Sequence, residues 1–160
     1  MKRIFVIAAA VLVIGGFFIW WLSPAQVLKR QTEKLLSALT LVEGRNKAMG
    51  QMGVFSLNSM ITKELELESP TEQANGTFDR ETVESGFSYL SSQAEFTKFD
   101  VREFQSVLVE GDRATVTALI EGVVALSNFR PVDGLYQVTL NWNREDDGWR
   151  LSKAKWVESR

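Results

Sequence analysis

Residues 4–22 form an apolar run without a single charged side chain, and the polar pattern begins only after it. Twelve of these 19 residues are Leu, Ile, Val or Phe, and the others are Ala, Gly and Trp. At about 1.5 Å of rise per residue a helix of this length spans roughly 28 Å, close to the hydrocarbon thickness of a bilayer. The pattern therefore predicts a transmembrane anchor over residues 1–22, with Trp20 and Trp21 at the membrane–water interface.

The charges at the start of the chain predict the orientation of this anchor. Lys2 and Arg3 favour a cytoplasmic N-terminus in a bacterial-type inner membrane, with the following domain periplasmic or otherwise extracytoplasmic. The opposing signal comes from three basic residues just past the run, which are Lys29, Arg30 and Lys34. An N-out orientation would require the short cationic tail to cross the membrane, so N-in is favoured.

A cleaved signal peptide is the alternative interpretation of the same run. Ser23-Pro24-Ala25 places small residues where a signal peptidase would cut, after Ala25, and cleavage there would release a secreted domain. A signal core usually has about 7–15 apolar residues, fewer than this run has. Pro24 beside the cut would also hinder cleavage, so an uncleaved anchor is favoured.

Helical periodicity follows the anchor. Ser23-Pro24 predicts a helix start with a capping hydroxyl and a proline in the first turn, and Gly44 predicts its end. The apolar positions of this helix lie on one face at spacings of 7, 4 and 3, and they are Leu28, Leu35, Leu39 and Val42. A second, shorter helix is predicted over Met49–Ile61.

The next segments change period twice. Lys63–Glu68 alternates with period two and predicts a short strand, and residues 70–76 predict a polar loop. Asp79 then predicts the N-cap of a third helix, with Val83, Phe87 and Leu90 on its apolar face.

Beyond residue 92 the pattern predicts consecutive antiparallel strands. The first covers residues 94–101 with an irregularity near Lys98, and Val107 and Val109 lead into a turn at Glu110–Arg113. Ala114, Val116, Ala118 and Ile120 alternate with Thr115, Thr117 and Leu119. Two more strands, around residues 136–142 and 149–157, are joined by a turn at residues 145–148. The predicted fold class is α+β, with helices on one face of a curved antiparallel sheet, in one domain over residues 23–160.

Composition removes several functional classes. The chain contains no His and no Cys, so zinc, iron–sulfur and haem sites, disulfides and His-dependent catalysis are not expected, and no cofactor is predicted. A net charge of −2 predicts no nucleic-acid partner.

The order of elements resembles the NTF2-like superfamily, the cystatin-like α+β cone. The resemblance covers about residues 25–157, and it rests on four segments: Leu57–Leu67, Phe78–Val83, Val109–Val116 and Trp142–Trp156. It implies a cavity between the helices and the concave sheet, and frequently dimerisation through the sheet. The same cavity serves isomerases, dehydratases, hydrolases and binding modules, so the fold alone does not select a function.

Candidate catalytic groups are few, and none forms a recognisable constellation. A ketosteroid-isomerase-like site would need a tyrosine on the first helix, but the two tyrosines are Tyr89 and Tyr136. An Asp–Arg–Asp arrangement for water activation could recruit charges beside turns and strand ends, namely Asp100, Arg102, Asp112, Arg113 and Asp133. Solvated loop charge is the simpler interpretation of these five, and no catalytic residue is predicted.

Two further groups have a structural and a functional interpretation. Glu64, Glu66 and Glu68 lie on one side of their strand, which fits a hydrated face better than a cation site, so no metal site is predicted. Trp149 and Trp156 are seven residues apart and would point to opposite faces of a regular strand. At least one is then predicted to leave the concave side, as part of a subunit or partner interface.

These observations favour a non-catalytic function. The leading hypothesis is an accessory or assembly subunit of a membrane protein complex, acting through its extracytoplasmic domain. The expected association is with a protein partner or with a second copy of the chain. A homodimer with no other partner would count against it. The alternative is a module that binds a small apolar ligand, or a weakly specified isomerase or hydrolase, with a buried carboxylate or Arg in a closed cavity.

Overall fold

The computed structural model describes residues 20–41, 47–70, 74–126 and 130–159. The predicted membrane segment lies outside these residues except for Trp20, Trp21 and Leu22. Within the described ranges, no helix is both long enough and apolar enough to cross a membrane. The elements, in chain order, are α1 (Pro24–Leu39), α2 (Lys47–Met60), β1 (Ile61–Glu68), β2 (Gly76–Asp79), α3 (Arg80–Gln93), β3 (Ala94–Glu110), β4 (Arg113–Leu126), β5 (Val132–Glu145) and β6 (Gly148–Glu158).

The six strands form one sheet in the order β2-β1-β6-β5-β4-β3, and the α+β prediction is confirmed. The prediction of a purely antiparallel sheet is wrong, because β1 pairs with β6 in parallel. The short strand β2, which pairs antiparallel with β1, was not predicted either. Both features depend on which strands become neighbours, and alternation along one strand carries no such information.

The first helix begins and packs largely as predicted. Pro24 occupies the first turn, but the Ser23 side chain makes no capping hydrogen bond, so that part of the prediction is wrong. Leu28 and Leu35 are buried on the predicted face. The helix ends at Leu39, and the predicted stop at Gly44 lies outside the described residues.

The third helix has the predicted cap. A carboxylate oxygen of Asp79 accepts a hydrogen bond from the backbone N–H of Thr82 at 2.7 Å, which satisfies one of the free donors of the first turn. Hydrogen bonding from the Thr82 side chain first, and from its backbone N–H second, lowers the pKa of Asp79 below its ordinary value. Phe87 is the buried residue of this helix.

Strand β3 is bent by three bulges, at Glu95, Arg102 and Gln105, each of which faces β4 as an extra residue. The irregularity predicted near Lys98 is therefore wrong in position, since bulges lie on either side of that residue. Bulges increase the local bend and twist of a sheet, and here they curve its edge around the helices. The start of this edge is covered by Leu41, which forms a backbone bridge with Thr97.

All three helices pack on the same face of the sheet, which we call the inner face. The main core joins Leu28 and Leu35 of α1, Leu57 of α2 and Phe87 of α3 to residues of β1, β4, β5 and β6. On β4 the alternating residues Ala114, Val116, Ala118 and Ile120 are buried, as predicted. The opposite face, the outer face, receives no described helix.

Candidate functional site

The space between the helices and the inner face of the sheet contains the main cluster of buried apolar side chains. Trp142 of β5 is completely buried and belongs to the same core cluster as Leu28, Phe87 and Trp149. Its indole Nε1–H has no hydrogen-bond partner among the described residues. Trp142 is therefore a core residue, and its ring packs among apolar side chains of the helices and of β6.

Charged groups are absent from the buried part of the described chain. The buried polar side chains there are Thr32 and Thr97. The Thr32 hydroxyl donates to the Leu28 carbonyl at 2.9 Å. The Thr97 hydroxyl donates to the Leu39 carbonyl at 2.6 Å and accepts from the Leu41 N–H at 2.9 Å. Both hydroxyls therefore serve the α1 backbone and its connection to β3, and neither is available for chemistry.

Two of the half-buried arginines, one in α3 and one in β6, lie at the margins of the core. Arg80, in the first turn of α3, donates from Nη2 to the Ile61 carbonyl at 2.8 Å. Arg150 pairs with Asp147 in the β5–β6 turn, and this contact holds the pKa of Asp147 below its ordinary value. Each guanidinium thus contacts a neighbouring turn or strand end.

The five charges considered for water activation are not brought together. Asp100 pairs with Lys98 at 2.8 Å, and Arg102 pairs with Glu121. Asp112 lies in the two-residue β3–β4 turn that Arg113 closes, and Asp133 lies opposite Val123 near the start of β5. These positions are distributed over strand edges and turns, as expected of solvated charge.

The glutamate row of β1 is an ion-pair ladder with β6. Glu66 and Glu68 pair with Lys153, and Glu68 also pairs with Lys155. The hydrogen bonds from Lys153 and then Lys155 lower the pKa of Glu68 from 4.5 to about 2. The same carboxylates, Glu68 first, raise the pKa of Lys153. These lysine partners were not predicted, because the β1–β6 pairing is not visible in either strand alone.

Trp149 and Trp156 lie on the same face, so the prediction of opposite faces is wrong. Trp142 pairs with Leu151 and Asn141 pairs with Lys153, which leaves Ser152 as an extra residue in a bulge. This bulge shifts the alternation by one residue, and both tryptophans share the inner face with Leu151 and Ala154. Trp149 is buried, whereas Trp156 is half-buried beside a groove of about 540 Å³ near the ends of β1 and β2. Their role in a partner interface stays a prediction.

The outer face carries a different set of residues at its centre. Six uncharged side chains of β4 and β5 lie there in paired rows, namely Thr115, Thr117, Leu119, Gln137, Thr139 and Asn141. The Gln137 amide donates across β4 to the side-chain oxygen of Gln105 at 3.1 Å.

Charged pairs flank this centre on both sides. The β1–β6 ladder lies along one side, and the Arg102–Glu121 pair lies on the other. Exposed Leu108 of β3 and Val157 of β6 add apolar surface near the margins. A centre without charged side chains inside a charged rim is one feature of protein contact surfaces.

The predicted membrane-interface residues are described only at the domain boundary. Trp20 and Trp21 are exposed, and their rings lie 6.4 Å apart between centroids. Arg30 of α1 lies over the Trp21 ring. Their placement in a membrane interface stays a prediction.

Known structures show the same architecture. An NTF2-like protein from Cytophaga hutchinsonii matches with a TM-score of 0.67 and 17% identity, over 86% of this chain and 100% of that one. The S. rosetta CaMKII hub matches with a TM-score of 0.65 and 20% identity, over 86% and 98%. A protein proposed to be a dehydratase of the NTF2-like family, from Streptomyces avermitilis, matches with a TM-score of 0.65 and 16% identity, over 85% and 96%.

These likenesses show that the chain has the NTF2-like fold. No protein-family model matches the sequence, and no curated protein matches it. The predicted NTF2-like cone is confirmed at the level of the fold. Because a hub and a proposed enzyme share it, function must be argued from the surfaces of this chain.

Proposed function

We propose that this protein is a single-pass membrane protein, anchored by residues 1–22, whose domain over residues 23–160 is an association module. The domain lies outside the cytoplasm and joins a protein complex as an accessory or assembly subunit. The observation that carries this proposal is the asymmetry of the sheet. Three helices cover the inner face, whereas the centre of the outer face is uncharged and uncovered in the described chain.

The apolar character of the buried interior supports association over ligand binding. A small-molecule or enzymatic function would need interior space and a buried acid or cation. In the described residues, Trp142 occupies the interior and the buried polar groups are threonines. The likeness to a CaMKII hub also supports an association role for this fold.

The test uses the full-length protein, purified in mild detergent from its native membrane, with mass spectrometry of proteins that co-purify in stoichiometric amounts. The decisive variant is Thr117→Arg, which places a cation at the centre of the outer face. An unpaired guanidinium in a closed interface costs several kcal/mol, and a cost of about 3 kcal/mol corresponds to roughly two orders of magnitude in affinity. Ser92→Arg, on exposed α3 surface, is the matched control.

A partner lost in Thr117→Arg and kept in Ser92→Arg is the expected result. If both variants retained the partner, the outer face would not be the binding surface. A homodimer with no other protein would contradict the accessory-subunit role. Intact mass of the mature chain tests the anchor, since a chain beginning after Ala25 would contradict it.

A further inference from the structure

Arg30 of α1 contacts the segment that precedes the domain in two ways. Its Nη2 donates a hydrogen bond to the carbonyl oxygen of Trp21 at 2.9 Å. Its guanidinium carbon lies 4.4 Å from the centroid of the Trp21 ring. One side chain therefore binds both the backbone and the ring of the same residue.

The contact implies that the chain bends before α1. In a straight helix, residues nine apart are separated by about 13.5 Å along the axis, which is beyond the reach of an arginine hydrogen bond to the backbone. The bend falls at Leu22 and Ser23, where the Ser23 N–H bonds the Trp20 carbonyl at 3.1 Å in a tight turn. Pro24 follows and lacks the N–H that would continue a regular ladder.

The domain end of this contact is rigid. Leu28 and Thr32, on either side of Arg30 in α1, are completely buried against the sheet and the helix backbone. Arg30 is thus fixed to the domain, while Trp21 is the penultimate residue of the predicted membrane run. We propose that Arg30 is a positioning residue that holds the membrane segment at a set angle to the domain, so that the outer face is presented in a defined orientation. This inference rests on the anchor proposed above.

The chemistry of the contact requires arginine. A planar guanidinium can stack on an indole and still direct an N–H toward a carbonyl, whereas a lysine ammonium is a compact point charge. Arg30→Lys is therefore expected to keep the charge and lose part of the restraint. Lys34, exposed one turn further along α1, provides the matched control for loss of a cation.

The experiment measures the angle directly in the full-length protein in lipid nanodiscs. The chain contains no Cys, so Gly16→Cys and Ser37→Cys introduce two unique spin-label sites, in the predicted membrane helix and on exposed α1. A straight helix would place their backbones ~32 Å apart. We expect a narrow distance distribution centred below ~32 Å, which Arg30→Ala broadens, because the turn at Leu22 and Ser23 remains while its restraint is lost. Arg30→Lys should give an intermediate width, and Lys34→Ala should match the parent.

A distribution in Arg30→Ala identical to the parent would overturn the proposal, and so would a broad distribution in the parent. Thermal unfolding of the domain should be the same in all variants, which separates positioning from folding. A narrow distribution in a protein without a co-purifying partner would overturn the accessory role alone. Membrane retention with a broad parental distribution would overturn the positioning role alone.

Discussion

The two faces of strand β4 differ although they share one backbone. The inner residues, such as Val116 and Ala118, are buried under the helices. Thr117 and Leu119, which alternate with them, are only half-buried on the outer face. Side chains alternate across a strand, so a single segment supplies both the core and the open surface. The stability of the fold therefore depends mainly on the inner positions. The outer positions can contact a partner with little effect on that stability.

The largest effect on the separation of the two sheet faces is expected from deleting single residues. Deleting Thr139 from the regular part of β5 would move one half of that strand to the wrong face, and we expect no folded protein. Deleting Ser152 removes only the bulge residue and leaves the alternation of β6 intact. It also removes the 3.1 Å hydrogen bond from Ser152 to the Asn141 carbonyl, at a cost of about 1 kcal/mol. Circular dichroism and thermal unfolding of both deletions provide the measurement.

If the Ser152 deletion did not fold, the bulge at Ser152 would not be the reason why Trp149 and Trp156 lie on the same face. A folded Thr139 deletion would show that the register of β5 can shift without loss of stability, and the two faces of the strand would then not be distinct.

The next largest effect is expected from the inner face alone. Trp142→Ala removes the completely buried indole and should lower the free energy of unfolding by about 3–5 kcal/mol. Trp142→Phe keeps aromatic volume and removes an unpaired N–H, so it should cost less than the alanine variant. Thr117→Ala, on the outer face, should change stability by no more than about 0.5 kcal/mol. Thermal unfolding of the full chain in detergent measures the stability of the three variants. An equal loss of stability in Trp142→Ala and Thr117→Ala would contradict the difference between the two faces.

The smallest effect concerns the rim of the outer face. The pKa of Glu68 falls from 4.5 to about 2 in the folded chain, through Lys153 and then Lys155. A lowered pKa contributes stability above 4.5 that is lost as pH falls toward 2. Glu68→Gln should therefore flatten part of the decrease in melting temperature between pH 4.5 and 2. Glu103→Gln, an exposed carboxylate of β3, is the control. A melting profile of Glu68→Gln that parallels the parent across this window would argue against the ladder.

Local signals predicted the local structure well. The Asp79 cap, the buried face of α1 around Leu28, and the alternation of β4 all depend on contacts within a few residues along the chain. The turn at Glu110–Arg113 was predicted in the same way, and Gly111 adopts the left-handed conformation at φ +61°. Each of these features has its physical cause in adjacent sequence.

The candidate surface was predictable strand by strand but not as one surface. Alternation separates Thr115, Thr117 and Leu119 of β4, and Gln137, Thr139 and Asn141 of β5, from the core side of each strand. The residue-by-residue pairing that places them side by side is seen only in the folded sheet. The Ser152 bulge was likewise missed, because an extra residue in a strand is revealed only by its partner strand. The Arg30–Trp21 contact depends on a bend that simple helical periodicity does not register.

The amino-acid sequence alone was enough to predict the apolar run at the start, the α+β order, the inner face of the helices and of most strands, and the lack of His and Cys chemistry. These follow from side-chain periodicity and composition, which are properties of the chain. The folded structure shows in addition that β1 lies beside β6, that Glu68 is held by lysines, that Trp142 is buried in the core and that the centre of the outer face is uncharged. These features depend on contacts between residues far apart in sequence, and such contacts form only when the strands pair in the sheet.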